Sequence, residues 1–466
     1  MEMRRKAMLH GILRSTPFAA LCLLVVLWAQ PLGAATPETA LRDYIHNGDK
    51  SFAWEVVDST RVDGLTGYRL RLTSQTWRDI RWTHEMVVVV PDKLKHSEAL
   101  LHLTGGGADE ATGKLSYHSW DDSTVRTLGQ IAHDCSAVTA VVWQVPRQPL
   151  FGGMKEDVLV SYTYHKFQET GDPTWPLLLP MTKTAIRAMD AVQQLVDSRR
   201  KKGRRVTHFV VNGVSKRGWT TWLTAASGDP RVKAIAPMVI DILNMPINLA
   251  YQKVMYGKYS EEIKDYVNLG LTEEVSTEKG RELLAIVDPY SYRKQLTLPK
   301  MLIMGANDEF WTADAVKHYI DSIPGTNAMT YVPNAGHSLG DKQAAVLSLE
   351  AFFAQTLAGR RYVTCESTVT LNGKTADIFV QTAGKGKLLN VELWEATSQT
   401  LDFRRARFEP VVQMRTKEKA FHIDVKLPPY AYKAFFVMLT YKHPVNQRPY
   451  TVCTRMYTAD AERVRL

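Results

Sequence analysis

Cysteine is scarce in this chain, with four in 466 residues. Neither a Cys-x-x-Cys nor a His-Glu-x-x-His spacing occurs, so a zinc site has no sequence support and no metal or cofactor is expected. Long apolar runs are missing too. The longest, Phe18 to Ala29, has 12 residues, short of the roughly 20 that span a bilayer, so no stable transmembrane span is expected. The three consecutive glycines at 105–107 lack the Gly-Lys-Ser/Thr ending of a phosphate loop. No repeat or low-complexity tract stands out. Neither sign of charge dominates: 58 Lys and Arg against 48 Asp and Glu leave a formal charge of +10. The basic excess is scattered. Its densest cluster, "RRKKGRR" at 199–205, ends a helical pattern, where cations suit the helix dipole. A nucleic-acid partner is therefore not expected, whereas attraction to anionic components of a bacterial envelope remains open.

What is present begins with a leader. Arg4, Arg5, Lys6 and Arg14 precede the apolar run, and "PLGAAT" then offers Gly33 and Ala35 as small residues before a cleavage point. Residues 1–35 read as a signal peptide, and the protein as exported, periplasmic or secreted. Removing them leaves Cys135, Cys365 and Cys453, an odd number. Cys365 and Cys453 lie near the first and last strands of the C-terminal region and are expected to form a disulfide.

The length implies one large domain and a smaller one. From Trp54 to Pro91 the pattern alternates, as in antiparallel strands. Then come short apolar runs: "ALLHLT" (99–104), "AVTAVVWQVP" (137–146), "THFVVNGV" (207–214), "VKAIAPMVI" (232–240) and "KMLIMGA" (300–306). Such runs suit strands buried on both faces of a parallel sheet. Helical patterns separate several of them, which predicts an α/β sheet over residues 36–360. Residues 241–295, helical and rich in Met and aromatics, interrupt the rhythm and read as a cap over the carboxyl edge of the sheet. Residues 361–466 alternate again, with turns such as Asn372-Gly373, and predict an immunoglobulin-like β-sandwich.

Function in an open parallel sheet sits at the carboxyl ends of its strands. Three such ends carry suitable residues: Ser215 in "VVNGVSKRG", Asp308 in "MLIMGANDEFW" and His337 in "YVPNAGHSLG". Each alone has a bland reading, as a turn, a cap or a solvated loop. Together they follow the chain order Ser…Asp…His of α/β-hydrolases. A serine hydroxyl becomes a nucleophile when an imidazole takes its proton, and a carboxylate fixes that imidazole's tautomer. "HLTGGGAD" would supply oxyanion donors from Gly105, Gly106 and Gly107, with the N–H of Lys216 as the other. Arg217 stands where the G-x-S-x-G pattern has its second glycine, and Gly218 follows. Gln144 and Gln148 in "VVWQVPRQPLFGG" read as polar substrate contacts; Arg217 either meets an anionic substrate group or pairs with a structural carboxylate. Trp219 and Trp222 read as packing residues.

The segments "NGVSKRGWTTWLTAA", "QVPRQPLFGG", "PTWPLLLPMTKTAIRAMDA", "MGANDEFWTADA" and "NAGHSLG" resemble the PhoPQ-activated pathogenicity-related protein family, which includes autocrine proliferation repressor proteins. The likeness runs from about residue 40 to about 360, and its S-K-R-G-W-T-T-W block is distinctive. It implies an α/β-hydrolase fold, a bacterial envelope or secreted setting, and Arg217 as the family's own residue at that place. The expectation is an exported serine hydrolase acting on an ester, thioester or amide bond of a small molecule or peptide. The rival is a secreted signalling or binding protein that keeps the fold with little or no turnover.

Overall fold

The computed structural model describes residues 36–199 and 203–466; the expected signal peptide lies outside the described residues, as does part of the 199–205 basic cluster. A short helix α1 (Ala40–Ile45) leads into β1 (Ala53–Val62), β2 (Leu65–Trp77) and β3 (Ile80–Pro91), then β4 (Glu98–Leu103), α2 (Ser123–Cys135) and β5 (Val138–Val142). Two helices follow, α3 (Glu156–Thr170) and α4 (Leu178–Arg199), before β6 (His208–Val214), α5 (Lys216–Ala226) and β7 (Val232–Met238). A helical stretch with α6 (Met245–Tyr256), α7 (Lys264–Asn268) and α8 (Glu278–Val287) precedes β8 (Lys300–Gly305), β9 (Asn327–Val332) and α9 (Gln343–Leu357).

Among the described residues the first nine strands form one mixed sheet in the order β1-β2-β3-β5-β4-β6-β7-β8-β9. β1 to β3 pair antiparallel, β3 meets β5 antiparallel, and every pairing from β5 through β4 to β9 is parallel. The apolar runs form strands because each face of the sheet has its own cover. On β3, Met86 and Val88 join a cluster with Met189 and Val192 of α4. Val87 and Val89, one residue out of phase, join the other cluster with Leu128 of α2 and Phe353 of α9. Consecutive side chains of a strand point to opposite faces, so both must be apolar.

After α9 the chain is all strand. β10 (Thr364–Asn372), β11 (Thr375–Ala383) and β14 (Ala420–Lys426) make one antiparallel sheet. β12 (Lys387–Ser398), β13 (Glu409–Met414), β15 (Tyr432–Lys442), β16 (Pro449–Cys453), β17 (Tyr457–Ala459) and β18 (Val464–Arg465) make the other. The two sheets share one core: Ile378, Val380 and Ile423 of the first pack in the same cluster as Val391, Leu393 and Val437 of the second.

The expected Cys365–Cys453 disulfide is not formed; Cys135, Cys365 and Cys453 are all free thiols. Cys453 faces β9 instead, its Sγ 3.5 Å from the Tyr331 N–H and 3.6 Å from Thr330 Oγ1. Burial pushes the Cys453 thiol up to about 12 and the Cys365 thiol well above its ordinary range. The thiolate is the form that exchanges, so both are poorly placed for oxidation. No helix among the described residues is long and apolar enough to cross a membrane.

Candidate active site

Ser215 ends β6 at a sharp turn into α5, with φ +58° and ψ −125°. A non-glycine residue is strained there, and close packing around it maintains the conformation. Two glycines allow that packing. A Cβ on Gly213 would lie 2.6 Å from the Arg217 carbonyl, and one on Gly218 would lie 2.8 Å from the Met238 carbonyl of β7. The close approach that the G-x-S-x-G pattern assigns to the position of Arg217 is thus taken by Gly218, one residue later.

The three strand-end residues meet. The acid loop leaves β8 and the histidine loop leaves β9, its neighbour in the sheet. His337 Nε2 is 2.8 Å from Ser215 Oγ, and His337 Nδ1 is 3.0 and 2.9 Å from the two oxygens of Asp308. An ionised carboxylate only accepts, so Nδ1 carries the proton and Nε2 accepts from the serine hydroxyl. The Phe310 N–H holds Asp308 Oδ1 at 2.9 Å. Burial pushes the Asp308 carboxyl above its ordinary range, against the opposing pull of His337. The histidine has two supports that the sequence reading missed. Glu309 Oε2 accepts the His337 backbone N–H at 2.8 Å, and the Phe310 ring lies 4.1 Å from the imidazole, centroid to centroid.

β4 lies beside β6, with Leu103 opposite Gly213. Gly105 follows two residues on, and a Cβ there would lie 2.7 Å from Arg217 Nη2, which sets the glycine loop beside the start of α5. The N–H groups of Gly105, Gly106 and Gly107 donate to no protein acceptor among the described residues.

Gln144, Gln148 and Arg217, the expected substrate contacts, are engaged with groups of the protein itself. All three are buried. Gln144 Oε1 accepts the Glu85 N–H at 2.8 Å, and its Nε2 reaches the Gly107 carbonyl at 3.5 Å. Gln148 brackets Glu156, donating to Oε1 at 2.6 Å and accepting the Glu156 N–H at 2.9 Å. Arg217 takes the second of its two readings. Its guanidinium pairs with Glu156 at 2.7 and 2.8 Å, donates to the Val145 carbonyl, and sits 2.7 Å from where a Cβ of Gly105 would be. Burial would raise the Glu156 carboxyl, but Arg217 and the nearby Lys216 hold it down at about 2. Glu156 and its neighbour Asp157, which binds Lys216 Nζ at 2.7 Å, also escaped the sequence reading. Their only local mark is a pair of acids opening α3 in "MKEDV".

Above Ser215 and Lys216 lies a cavity roofed by the 241–295 segment. Met245, Leu249, Tyr266, Leu283 and Val287 face Trp219, Ile240, Phe310 and Trp311 across it. Trp222 is fully buried, as a packing residue should be, whereas Trp219 both packs and lines the cavity, donating from Nε1 to the Val287 carbonyl at 2.6 Å. Among the polar groups in the lining is Asp157, bridged by Lys216 and by the Tyr266 hydroxyl at 3.0 Å. No group of three or more metal-ligating side chains exists among the described residues.

Comparison with known proteins follows the same residues. Autocrine proliferation repressor protein A of Dictyostelium discoideum is 30% identical over 460 residues, covering 91% of this chain and 90% of that protein. Solved structures that resemble the chain include acetyl xylan esterase 1 from Thermoanaerobacterium sp. JW/SL YS485, 15% identical with a TM-score of 0.47, covering 69% of this chain and 92% of the esterase. An S-formylglutathione hydrolase from Agrobacterium tumefaciens is 11% identical with a TM-score of 0.44, covering 65% of this chain and 99% of its own. The profile of PhoPQ-activated pathogenicity-related proteins matches residues 41–404, a span that takes in the serine turn, the glycine loop, the acid and the histidine. By that match and by the relative that covers nearly its whole length, the chain belongs to the PhoPQ-activated pathogenicity-related protein family.

Proposed function

We propose that the protein is a serine hydrolase that cleaves an ester, thioester or amide bond, with Ser215 as nucleophile, His337 as general base and acid, and Asp308 as the orienting carboxylate. The observation that carries this reading is the unbroken hydrogen-bond chain from Ser215 Oγ, in the lining of an apolar cavity, through His337 to Asp308. Ser215 Oγ attacks the acyl carbon while its proton passes to His337 Nε2, and Asp308 balances the imidazolium. The charge on the former carbonyl oxygen is received by the Lys216 N–H and the free N–H groups of the glycine loop, each donor being worth about 3–4 kcal/mol. His337 then gives its proton to the leaving oxygen, sulfur or nitrogen. Water repeats the sequence on the acyl-enzyme.

The fold names belong to the same proposal. The strand order β2-β3-β5-β4-β6-β7-β8-β9, in which β3 alone runs against the other seven, supports an α/β-hydrolase sheet. The three- and six-stranded sheets sharing one core support an immunoglobulin-like sandwich. The lining suits an apolar acyl group, and the 241–295 roof acts as a cap that limits its size. Export to the periplasm or beyond rests on the sequence of residues 1–35, and cell fractionation tests it.

A fluorophosphonate probe tests the chemistry: peptide mapping should find the label on Ser215, and Ser215→Ala should abolish it. The name of the Dictyostelium relative supports a second reading, a secreted signalling or binding protein that keeps the fold with little or no turnover. A folded wild type that never labels and cleaves none of a series of acyl esters would select that second reading.

A further inference from the structure

The loops that carry Asp308 and His337 each present an asparagine to one short segment of the C-terminal sheets. Asn307, beside the acid, is 9% exposed, and its Nδ2 donates to the carbonyls of Phe403 at 2.8 Å and Ala406 at 2.7 Å. Those two carbonyls converge because residues 403–406 form a turn, closed by the Ala406 N–H on the Phe403 carbonyl at 3.0 Å. Asn334, three residues before the histidine, donates to the Phe408 carbonyl at 2.9 Å and accepts the Phe408 N–H at 2.8 Å. The two loops are also joined directly, by the Asn307 N–H on the Ala335 carbonyl at 3.0 Å.

The segment itself is fixed at both ends. Phe403 and Phe408 are almost fully buried, in the cluster that holds Trp311 and Tyr331 of the α/β part. Between them Arg404, gripped by Asp402 at 2.9 and 2.6 Å, lies 4.0 Å over the ring of Tyr256. Tyr256 ends α6, and its hydroxyl donates to the Trp311 carbonyl at 2.7 Å. One stretch between β12 and β13 therefore touches the acid loop, the histidine loop and the roof of the cavity.

We propose that residues 402–408 are a positioning element of the active site, holding the acid and histidine loops in register through Asn307 and Asn334. The proposal rests on the reading of Ser215, His337 and Asp308 as catalytic. The C-terminal sheets then complete the catalytic unit, in place of serving as an attached binding module. An amide fixed by two carbonyls sets both the position and the tilt of the backbone next to Asp308. Catalytic groups need placement to within about 0.5 Å, and a displacement of about 1 Å from a remote change is worth about 100-fold in rate.

The test compares the full-length wild type with Asn307→Ala and Asn334→Ala. It reads the rate of fluorophosphonate labelling, kcat and KM on an acyl ester, the pH profile of kcat/KM, and the downfield proton resonance of His337 Nδ1–H. Both variants should lose about 10- to 100-fold in kcat and in labelling, with KM changed less than about threefold. The pH profile should move, and the resonance should broaden or vanish. Asn334 is exposed, so its variant keeps the test readable should Asn307→Ala not fold. Folded Asn334→Ala with wild-type labelling, pH profile and resonance overturns the proposal. If the wild type shows the resonance but neither labels nor turns over, the catalytic reading fails by itself. The resonance in the variants then still decides whether the segment positions the histidine.

Discussion

Replacing Asp308 by asparagine changes one oxygen to an amide group and interrogates every hydrogen bond around His337. The Phe310 N–H already occupies Oδ1 of Asp308 as a donor. An amide at this position keeps its oxygen on that N–H, which turns its NH2 group toward His337 Nδ1, where Oδ2 now sits 2.9 Å away. Oδ1 also lies 3.0 Å from Nδ1, so the amide oxygen competes for the Nδ1 proton. The NH2 group at the nearer position favours the tautomer in which Nδ1 accepts and the single proton of the neutral ring sits on Nε2. There it points at Ser215 Oγ, and the serine loses its base. The loss expected from a wrong tautomer is about 10⁴-fold in kcat, or about 5.5 kcal/mol of barrier. Stability should move the other way. Burial raises the Asp308 carboxyl, so its contribution to folding is fully present below the ordinary value of 3.8 and is lost as pH rises through the folded value. At pH 7 the wild type carries a buried charge that the amide lacks, so Asp308→Asn should melt at or above the wild-type temperature. Steady-state kinetics on an ester and calorimetry at pH 7 check both halves. A folded variant that loses less than tenfold in kcat would refute the tautomer argument, and a fall of several degrees in Tm would refute the electrostatic one.

Arg217→Met should lower Tm at pH 7, and the deficit should close as pH falls from the ordinary glutamate value of 4.5 toward about 2, the window over which Glu156 loses its charge; calorimetry that finds a constant deficit across that window sinks the account. Leu284→Trp, which fills part of the cavity lining, should shift the preferred acyl chain to shorter lengths in an ester series while a small fluorophosphonate still labels Ser215; an unchanged length profile would remove the cap from substrate selection. Cys453, which is fully buried, should alkylate only after denaturation, and a reductant should leave Tm unchanged; a reductant-sensitive Tm would mean that a bridge forms after all.

The parallel strands were legible because a strand covered on both faces must be apolar at consecutive positions; Lys300–Gly305 is buried throughout. The meeting of Ser215, Asp308 and His337 was legible for a related reason, since strand ends at one edge of a parallel sheet converge. What the sequence withheld was direction. The Gln144 amide turns toward the Gly107 carbonyl and the Gln148 amide toward Glu156. Arg217 finds its carboxylate on α3, 61 residues earlier, and no local spacing encodes a pair so far apart. Cys453 is near enough to Cys365 to add to the rise of its thiol value, yet the Cys453 sulfur is turned to β9. Side-chain orientation across such distances is a property of packing, and only the folded chain displays it.

The asparagine contacts to residues 403–408 also bear on how the protein is made. A ribosome delivers Asn307 and Asn334 well before the carbonyls of Phe403, Ala406 and Phe408 exist. At roughly 5–20 residues per second the interval is on the order of several seconds. Through that time Ser215 and its partners are already outside the ribosome, but the loops that aim them have nothing to grip. A nascent chain, or one truncated ahead of β13, would carry all three reactive groups without their alignment.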